Sequence, residues 1–157
     1  MKTFALRLIA AAALSLAVHT SFAADNEPAA NDKLAPARAQ IAAQQWRLAI
    51  DELNKINDKG SADWNNLMGY SLRKAKTPDY EGAEKFYNEA LRIDPKHRGA
   101  LEYSGELYLI KGDLATAEQR LATLDKVCGF GCEELSALKK AVQNYKANGN
   151  KVLGQAS

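Results

Sequence analysis

The chain has 157 residues, enough for one domain, and carries 21 Lys and Arg against 19 Asp and Glu. A near-neutral chain with interspersed charges lacks the electrostatic footprint of a DNA- or RNA-binding protein, so we expect no nucleic-acid partner. The composition is rich in Ala, Leu, Lys and Glu and holds only four Pro, which favours an all-α fold.

Residues 1–23 have the features of a secretory signal peptide. Lys2 and Arg7 give a positive start, residues 8–18 form an apolar run, and the tripeptide Ser-Phe-Ala ends at Ala23. A run of about 11 residues is too short to cross a bilayer, which takes roughly 20 residues. We therefore expect cleavage after Ala23, a periplasmic location and no membrane insertion afterwards. The alternatives are an uncleaved N-terminal anchor or a buried helix.

Cleavage would remove two positive charges and leave 19 positive and 19 negative side chains. The basic isoelectric point of the whole chain therefore carries no argument for an acidic partner. Residues 24–32 and 148–157 are small and polar, so we expect both segments to be flexible.

Three alanines recur at intervals of 34 residues: Ala49, Ala83 and Ala117. Large apolar residues stand three before each alanine, and mostly apolar residues stand four and seven after it: Trp46, Leu53 and Ile56; Tyr80, Tyr87 and Ala90; Leu114, Leu121 and Leu124. This spacing places one apolar stripe on each of three helices, with a small residue where two backbones approach closely. Each segment is therefore predicted to be the second helix of a helical hairpin.

The preceding segments place Gly69 and Gly105 within helical patterns. A glycine costs a helix about 1 kcal/mol, and a partner helix that packs closely against it is a sufficient reason to tolerate that cost. Gly112 separates the two helices of the last pair, and Pro95 ends the middle pair. We predict helices over 33–44, 46–57, 62–75, 79–93, 97–111 and 114–127, followed by a capping helix over 133–147.

This arrangement resembles the tetratricopeptide repeat, whose 34-residue unit carries a Gly and an aromatic residue in the first helix, alanines in the second and a closing Pro. The resemblance is fullest over residues 64–127 and implies an α-solenoid of antiparallel hairpins, with repeats near 33–57, 62–95 and 97–128. Two departures are about two extra residues near Pro78 and a poor first helix that contains Pro36. An ordinary helical bundle with accidental periodicity is the alternative.

Cys128 and Cys132 enclose Gly-Phe-Gly between the last repeat and the capping helix. In an exported chain such a pair usually forms a disulfide, and the glycines permit the tight backbone that it needs. Free thiols, a redox-active pair and a metal site are the alternatives. The run also resembles that of small bacterial exported tetratricopeptide-repeat proteins, for which the resemblance implies no biochemical activity.

No set of nucleophile, base and orienting group can be assembled from the sequence, so we expect neither an enzyme nor a bound cofactor or metal. The one histidine after the signal segment, His97, stands at a hairpin boundary and suits a surface or capping role.

The resemblance implies that partners bind in the groove lined by the first helices of the hairpins. Mapped through the two glycines, the groove-facing residues are Asn66, Tyr70, Arg73, Lys74, Glu102, Glu106 and Leu109. In a purely structural interpretation, Arg73 and Lys74 only form ion pairs with Glu102 and Glu106 across the groove.

The leading hypothesis is a scaffold for a protein or peptide of the cell envelope. One alternative is self-association through the weak first repeat. Another is a thiol redox carrier that uses Cys128 and Cys132.

Overall fold

The computed structural model describes residues 32–152, which form seven α-helices and no strand. The helices are α1 (Ala35–Ala42), α2 (Trp46–Ile56), α3 (Ala62–Lys74), α4 (Tyr80–Ile93), α5 (Arg98–Ile110), α6 (Leu114–Cys128) and α7 (Glu133–Ala147). The predicted all-α class is confirmed, and every helix begins and ends within two residues of the expected position. The predicted signal peptide and most of the predicted flexible segments lie outside the described residues.

Polar side chains fix where most helices begin. Ser61, Asp79, His97 and Asp113 each precede a helix and accept the backbone N–H of the residue three positions later. Such caps satisfy N–H groups that have no partner within the helix. Pro36 stands in the first turn of α1, where its missing N–H costs nothing, so it begins this short helix and does not break it.

Each helix packs against the next one along the chain, and α1, α3, α5 and α7 also contact one another in succession. Within residues 32–152, the backbones of α2, α4 and α6 do not approach one another in this way, although the Arg120 side chain of α6 donates a hydrogen bond to Oδ1 of Asn88 on α4 at 3.3 Å. The odd-numbered helices therefore share one side of the protein, which we call the odd-helix face.

The three alanines spaced by 34 residues are completely buried. Leu53 and Tyr87, each four residues after one of them, are also completely buried. The apolar stripes inferred from the spacing therefore face the interior.

The two helical glycines lie at close contacts. A Cβ at Gly69 would stand 2.8 Å from the Tyr87 ring of α4, and one at Gly105 would stand 2.7 Å from Leu138 of α7. A partner helix does press against each glycine, as the sequence predicts. For α5 that partner is the capping helix and not the other helix of its own hairpin.

The helix α7 covers the end of the stack through Leu138, Val142 and Tyr145, which join the apolar cluster formed with α5 and α6. Residues 148–152 are irregular, and Val152 packs against the same cluster. Among the described residues, no helix combines the length and apolar character needed to cross a bilayer.

Candidate binding site on the odd-helix face

Arg73 lies in the last turn of α3 with only 7% of its side chain exposed. Its Nη2 is 2.7 Å from Oε2 of Glu106 on α5. A buried guanidinium needs such a partner because removing a charge from water is costly. The ion pair therefore joins two consecutive odd helices at the centre of this face.

The rings of Tyr70 and Tyr103 pack against the guanidinium group of Arg73. The ring centroids of Tyr70 and Tyr103 are 4.5 Å apart, and the guanidinium carbon of Arg73 is 5.6 Å from each centroid. At this distance both rings attract the cation through their negative faces. Trp46 extends the aromatic surface, since its ring meets Tyr70 edge-on at 5.8 Å.

Burial and like charge shift the ionisation of the neighbouring groups. Burial, reinforced by Glu106 and Glu134, raises the pKa of Glu102 to about 7, although Arg73 opposes the change. Burial is also the main reason that the pKa of Tyr103 rises to about 12. The face thus holds a carboxyl that titrates near neutral pH beside a permanent cation.

Two buried polar atoms of this face have no hydrogen-bond partner that meets normal geometry among residues 32–152: Oδ1 of Asn66 and Nε of Arg73. The hydroxyl of Tyr87 on α4 is likewise buried without such a partner, and it lies near Arg73. The Asn66 amide lies against α5, because a Cβ at Gly99 would be 3.0 Å from Asn66 Nδ2. An unpaired buried polar group costs about 1–3 kcal/mol, and such groups call for an explanation.

A cavity of about 280 Å³ opens beside the ion pair, between α5 and α7. Its walls are Arg73, Glu106, Leu109, Ile110, Ala141, Asn144, Tyr145, Asn148, Lys151 and Val152. The lining combines apolar side chains with a few amide and charged groups, as in sites that hold a side chain or small ligand.

The structure brings most of the predicted groove residues to this region. Tyr70 and Glu106 contact or pair with Arg73, Glu102 lies one turn from Glu106, and Leu109 lines the cavity. Asn66 is only 6% exposed and Leu109 only 4% exposed, so neither offers much surface. Lys74 is exposed at the end of α3 and has no ion pair within the described chain, so the expected pairing is met only by the arginine.

Sequence reasoning missed Tyr103 and the contribution of α7. Tyr103 stands three residues before Glu106, so helical spacing places it on the stripe already chosen. This spacing could have identified Tyr103 as a residue of the site from the sequence alone. The cavity residues Asn144 and Asn148 carry no comparable signal, because their role depends on how α7 docks.

The remaining polar features have structural roles. The Nδ1 of His97 caps α5 by accepting the Ala100 N–H at 3.0 Å, and its Nε2 is 3.0 Å from Oδ1 of Asp63. Cys128 and Cys132 form a disulfide with their Cα atoms 5.6 Å apart. In the part of the chain that the structure describes, no group of three or more His, Cys, Asp or Glu side chains could hold a metal ion.

The described residues define an all-α protein with a buried arginine, two tyrosines and two glutamates grouped on one face. The chain matches no family model, and no curated protein matches it either.

Proposed function

We propose that the protein is an exported, non-catalytic scaffold of the tetratricopeptide-repeat type, which binds a peptide segment of a partner protein along its odd-helix face. The 34-residue spacing of Ala49, Ala83 and Ala117, their complete burial and the contacts between successive odd helices all support this architecture. The features of residues 1–23 support export to the periplasm. The proposed binding role requires neither a metal ion nor a cofactor.

One observation carries the proposed binding role, namely the cluster around Arg73 next to the 280 Å³ cavity. Tyr70 and Tyr103 supply flat aromatic area that loses little conformational entropy when a partner binds. The cavity offers Ile110 to an apolar side chain, and Asn144 can bond an adjacent peptide group. The proposed ligand is therefore an extended segment with an apolar residue flanked by polar groups.

The proposal can be tested without knowledge of the natural partner. Peptides selected from a random displayed library against the oxidised protein are titrated into isotopically labelled protein. We expect amide chemical-shift changes on α3, α5 and α7. Shifts confined to α2, α4 and α6 would contradict the proposed face.

Variants then connect affinity to the site. Tyr70→Ala and Asn144→Ala each remove one contacting group, and each should weaken binding about tenfold, which corresponds to about 1.4 kcal/mol. Gln119→Ala, an exposed position on α6, is the matched control and should leave affinity unchanged. Full affinity in a protein that carries both site substitutions would remove the proposal.

A further inference from the structure

Three consecutive layers of side chains join α3 to α5 on the odd-helix face. In each layer the two residues are 33 apart in sequence: Asn66 with Gly99, Tyr70 with Tyr103, and Arg73 with Glu106. A Cβ on the glycine would be 3.0 Å from the asparagine Nδ2, the two ring centroids are 4.5 Å apart, and the ion-pair atoms are 2.7 Å apart. The two helices therefore keep one register through all three layers.

Glu102 stands beside these layers without a partner of its own. It is half-buried, and within residues 32–152 it forms no hydrogen bond and no ion pair. Two cations of the same region are paired with other carboxylates, because Arg73 bonds Glu106 at 2.7 Å and Arg98 lies 3.6 Å from Glu134. A half-buried carboxylate without a counterion costs stability, and groups kept at such a cost are characteristic of functional sites.

The carboxylate of Glu102 lies close to two accessible aromatic rings. Burial raises the pKa of both Tyr70 and Tyr103, and the negative charge of Glu102 adds to each increase, although Arg73 opposes it. An effect on both phenols places the carboxylate near the tyrosine layer. Both rings are half-buried, so part of each ring remains accessible. A carboxylate beside accessible aromatic rings suits an ammonium or guanidinium group, which both of them attract.

A second acceptor in the same row of layers also lacks a donor. Asn66 is only 6% exposed, and its Oδ1 has no hydrogen-bond partner among the described residues. The side chains of lysine and arginine carry donors only, whereas a carboxylate carries acceptors only. An anionic ligand would thus add to the unpaired negative charge of Glu102. Both the charge and the hydrogen-bonding groups of this region favour a cation.

We infer that the peptide segment bound on the odd-helix face carries a lysine or arginine, whose charged group pairs with Glu102 and packs on the rings of Tyr70 and Tyr103. The inference rests on the proposed function, because it specifies the chemistry of the same ligand. Arg73 repels such a group only weakly, since Glu106 offsets its charge at 2.7 Å.

The separation of Glu102 from the cavity sets the spacing expected in the ligand. Glu102 precedes Glu106, a residue of the cavity wall, by four residues, which is about 6 Å along the helix. In an extended peptide, side chains two residues apart point to the same face and are separated by about 6.6 Å. The basic residue should therefore stand two positions from the apolar residue that enters the cavity.

The ionisation of Glu102 makes this binding depend on pH. The titratable and charged groups that act on it come from α3, α5 and α7: Tyr70, Arg73, Tyr103, Glu106, Glu133 and Glu134. Burial and the like charges hold its pKa at about 7, so the carboxyl is mostly protonated at pH 6 and mostly ionised at pH 8. Lysine keeps its charge over this range, so affinity for a basic peptide should increase about fivefold from pH 6 to pH 8.

Two parallel selections from a random displayed peptide library test the inference. One uses the oxidised wild-type protein and the other uses Glu102→Gln, both at pH 8. The wild type should enrich Lys or Arg two positions from an apolar residue, whereas the variant should enrich the apolar residue alone. Circular dichroism of the variant checks that the fold is retained.

Affinities of one selected peptide then isolate the charge. The peptide is made with its basic residue and again with norleucine at that position. Glu102→Gln should lower the affinity for the basic peptide about tenfold and change that for the norleucine peptide less than about twofold. Glu89→Gln removes a carboxylate from α4 and is the matched control, which should leave both affinities unchanged.

A small probe tests the subsite without any selected peptide. N-acetyl-lysine methylamide at millimolar concentration should lower the pKa of Glu102, because a bound cation favours the ionised carboxyl. The ¹³C shift of the Glu102 carboxyl group, followed through a pH titration, measures this change. N-acetyl-norleucine methylamide lacks the charge and should leave the titration where it is.

The possible outcomes distinguish this inference from the proposed function. Peptides that bind α3, α5 and α7 equally well in the wild type and in Glu102→Gln would overturn the inference and leave the proposed function standing. A lysine probe that does not move the titration of Glu102 would also overturn the inference. Equal losses in Glu102→Gln and Glu89→Gln would mean that overall charge, and not this subsite, attracts the ligand. Binding confined to the even-numbered helices would overturn the proposed function and the inference with it.

Discussion

Arg73 and Glu106 are paired across two helices, and the arginine side chain is 7% exposed whereas the glutamate side chain is 29% exposed. The glutamate therefore retains some hydration, and the arginine depends on the pair and on the surrounding rings. Removal of Glu106 would leave the buried charge of Arg73 without its counterion, which strongly destabilises a folded protein. Removal of a carboxylate that is not paired with a buried charge should cost less stability.

We predict that Glu106→Ala lowers the free energy of unfolding by about 2–3 kcal/mol, because Arg73 stays buried between Tyr70 and Tyr103 without a carboxylate. Urea denaturation followed by circular dichroism measures the change. Glu102→Ala, one turn earlier on α5, is the control for removal of a carboxylate from this face. If both variants lost equal stability, the importance assigned to the pair would be refuted.

The second prediction concerns Glu102, whose pKa is about 7 in the folded protein and about 4.3 in an unfolded chain. Between these values the folded state binds more protons than the unfolded state, so the free energy of unfolding falls as the pH rises. Glu102→Gln cannot ionise. It should therefore be more stable than the wild type at pH 8, by about 1–2 kcal/mol after solvent screening.

Urea denaturation of both proteins at pH 5, 6, 7 and 8 provides the measurement. The advantage of Glu102→Gln should shrink toward pH 5, where the wild-type carboxyl is largely protonated in the folded state. Because the other titrating groups are common to both proteins, the difference between them isolates this residue. A difference that does not change with pH would contradict the raised pKa.

The helices could be predicted because each depends mainly on neighbouring residues. Ala83 and Tyr87 lie on one stripe at helical spacing, and Ser61 and Asp79 cap the helices that they precede. These signals act within a few residues, so no knowledge of the tertiary structure is needed.

The site was less predictable because it depends on how helices pack across hairpins. Tyr103 meets Tyr70 because of the way α5 packs against α3, and Leu109 is buried in a cluster to which both α6 and α7 contribute. Periodicity within one helix assigns residues to a face but does not determine what the next helix places over that face. The pairing of Gly105 with Leu138 of α7, which is distant in sequence, has the same origin.

The third prediction uses the two glycines at helix contacts. A methyl group at Gly69 would meet the buried Tyr87 ring at 2.8 Å and the Ala83 carbonyl at 3.1 Å, and one at Gly105 would meet Leu138 at 2.7 Å. Tyr87 and Leu138 are both completely buried, so neither side chain can make room by turning out into solvent. We expect Gly69→Ala and Gly105→Ala each to destabilise the protein by about 1–3 kcal/mol despite the better helix propensity of alanine.

Gly60 provides the matched control, because a Cβ there would meet nothing within 4 Å. Gly60→Ala should therefore be neutral or slightly stabilising. Thermal or urea denaturation of the three variants measures how much each substitution changes the stability of the protein. A Gly69→Ala protein as stable as the Gly60→Ala protein would mean that α3 and α4 can separate slightly without cost.

The last prediction separates the two roles of the cysteines. Cys132 closes the disulfide with Cys128, and its Sγ also accepts the Leu135 N–H at 3.4 Å as the N-cap of α7. Serine is a good N-cap, so Cys128→Ala combined with Cys132→Ser removes the crosslink and keeps a cap. Closure of a five-residue loop contributes roughly 2 kcal/mol in the chain-entropy model, and we expect a loss of about that size.

Replacing both cysteines by alanine removes the cap as well, and it should cost about 1 kcal/mol more than the Ala/Ser pair. Urea denaturation of the wild type under oxidising and reducing conditions, next to both double variants, provides the comparison. Reduced wild type should resemble the Ala/Ser protein, because each has an N-cap but no crosslink. Equal stability of the two double variants would show that α7 begins without help from residue 132, so that the cysteine pair contributes to stability only as a crosslink.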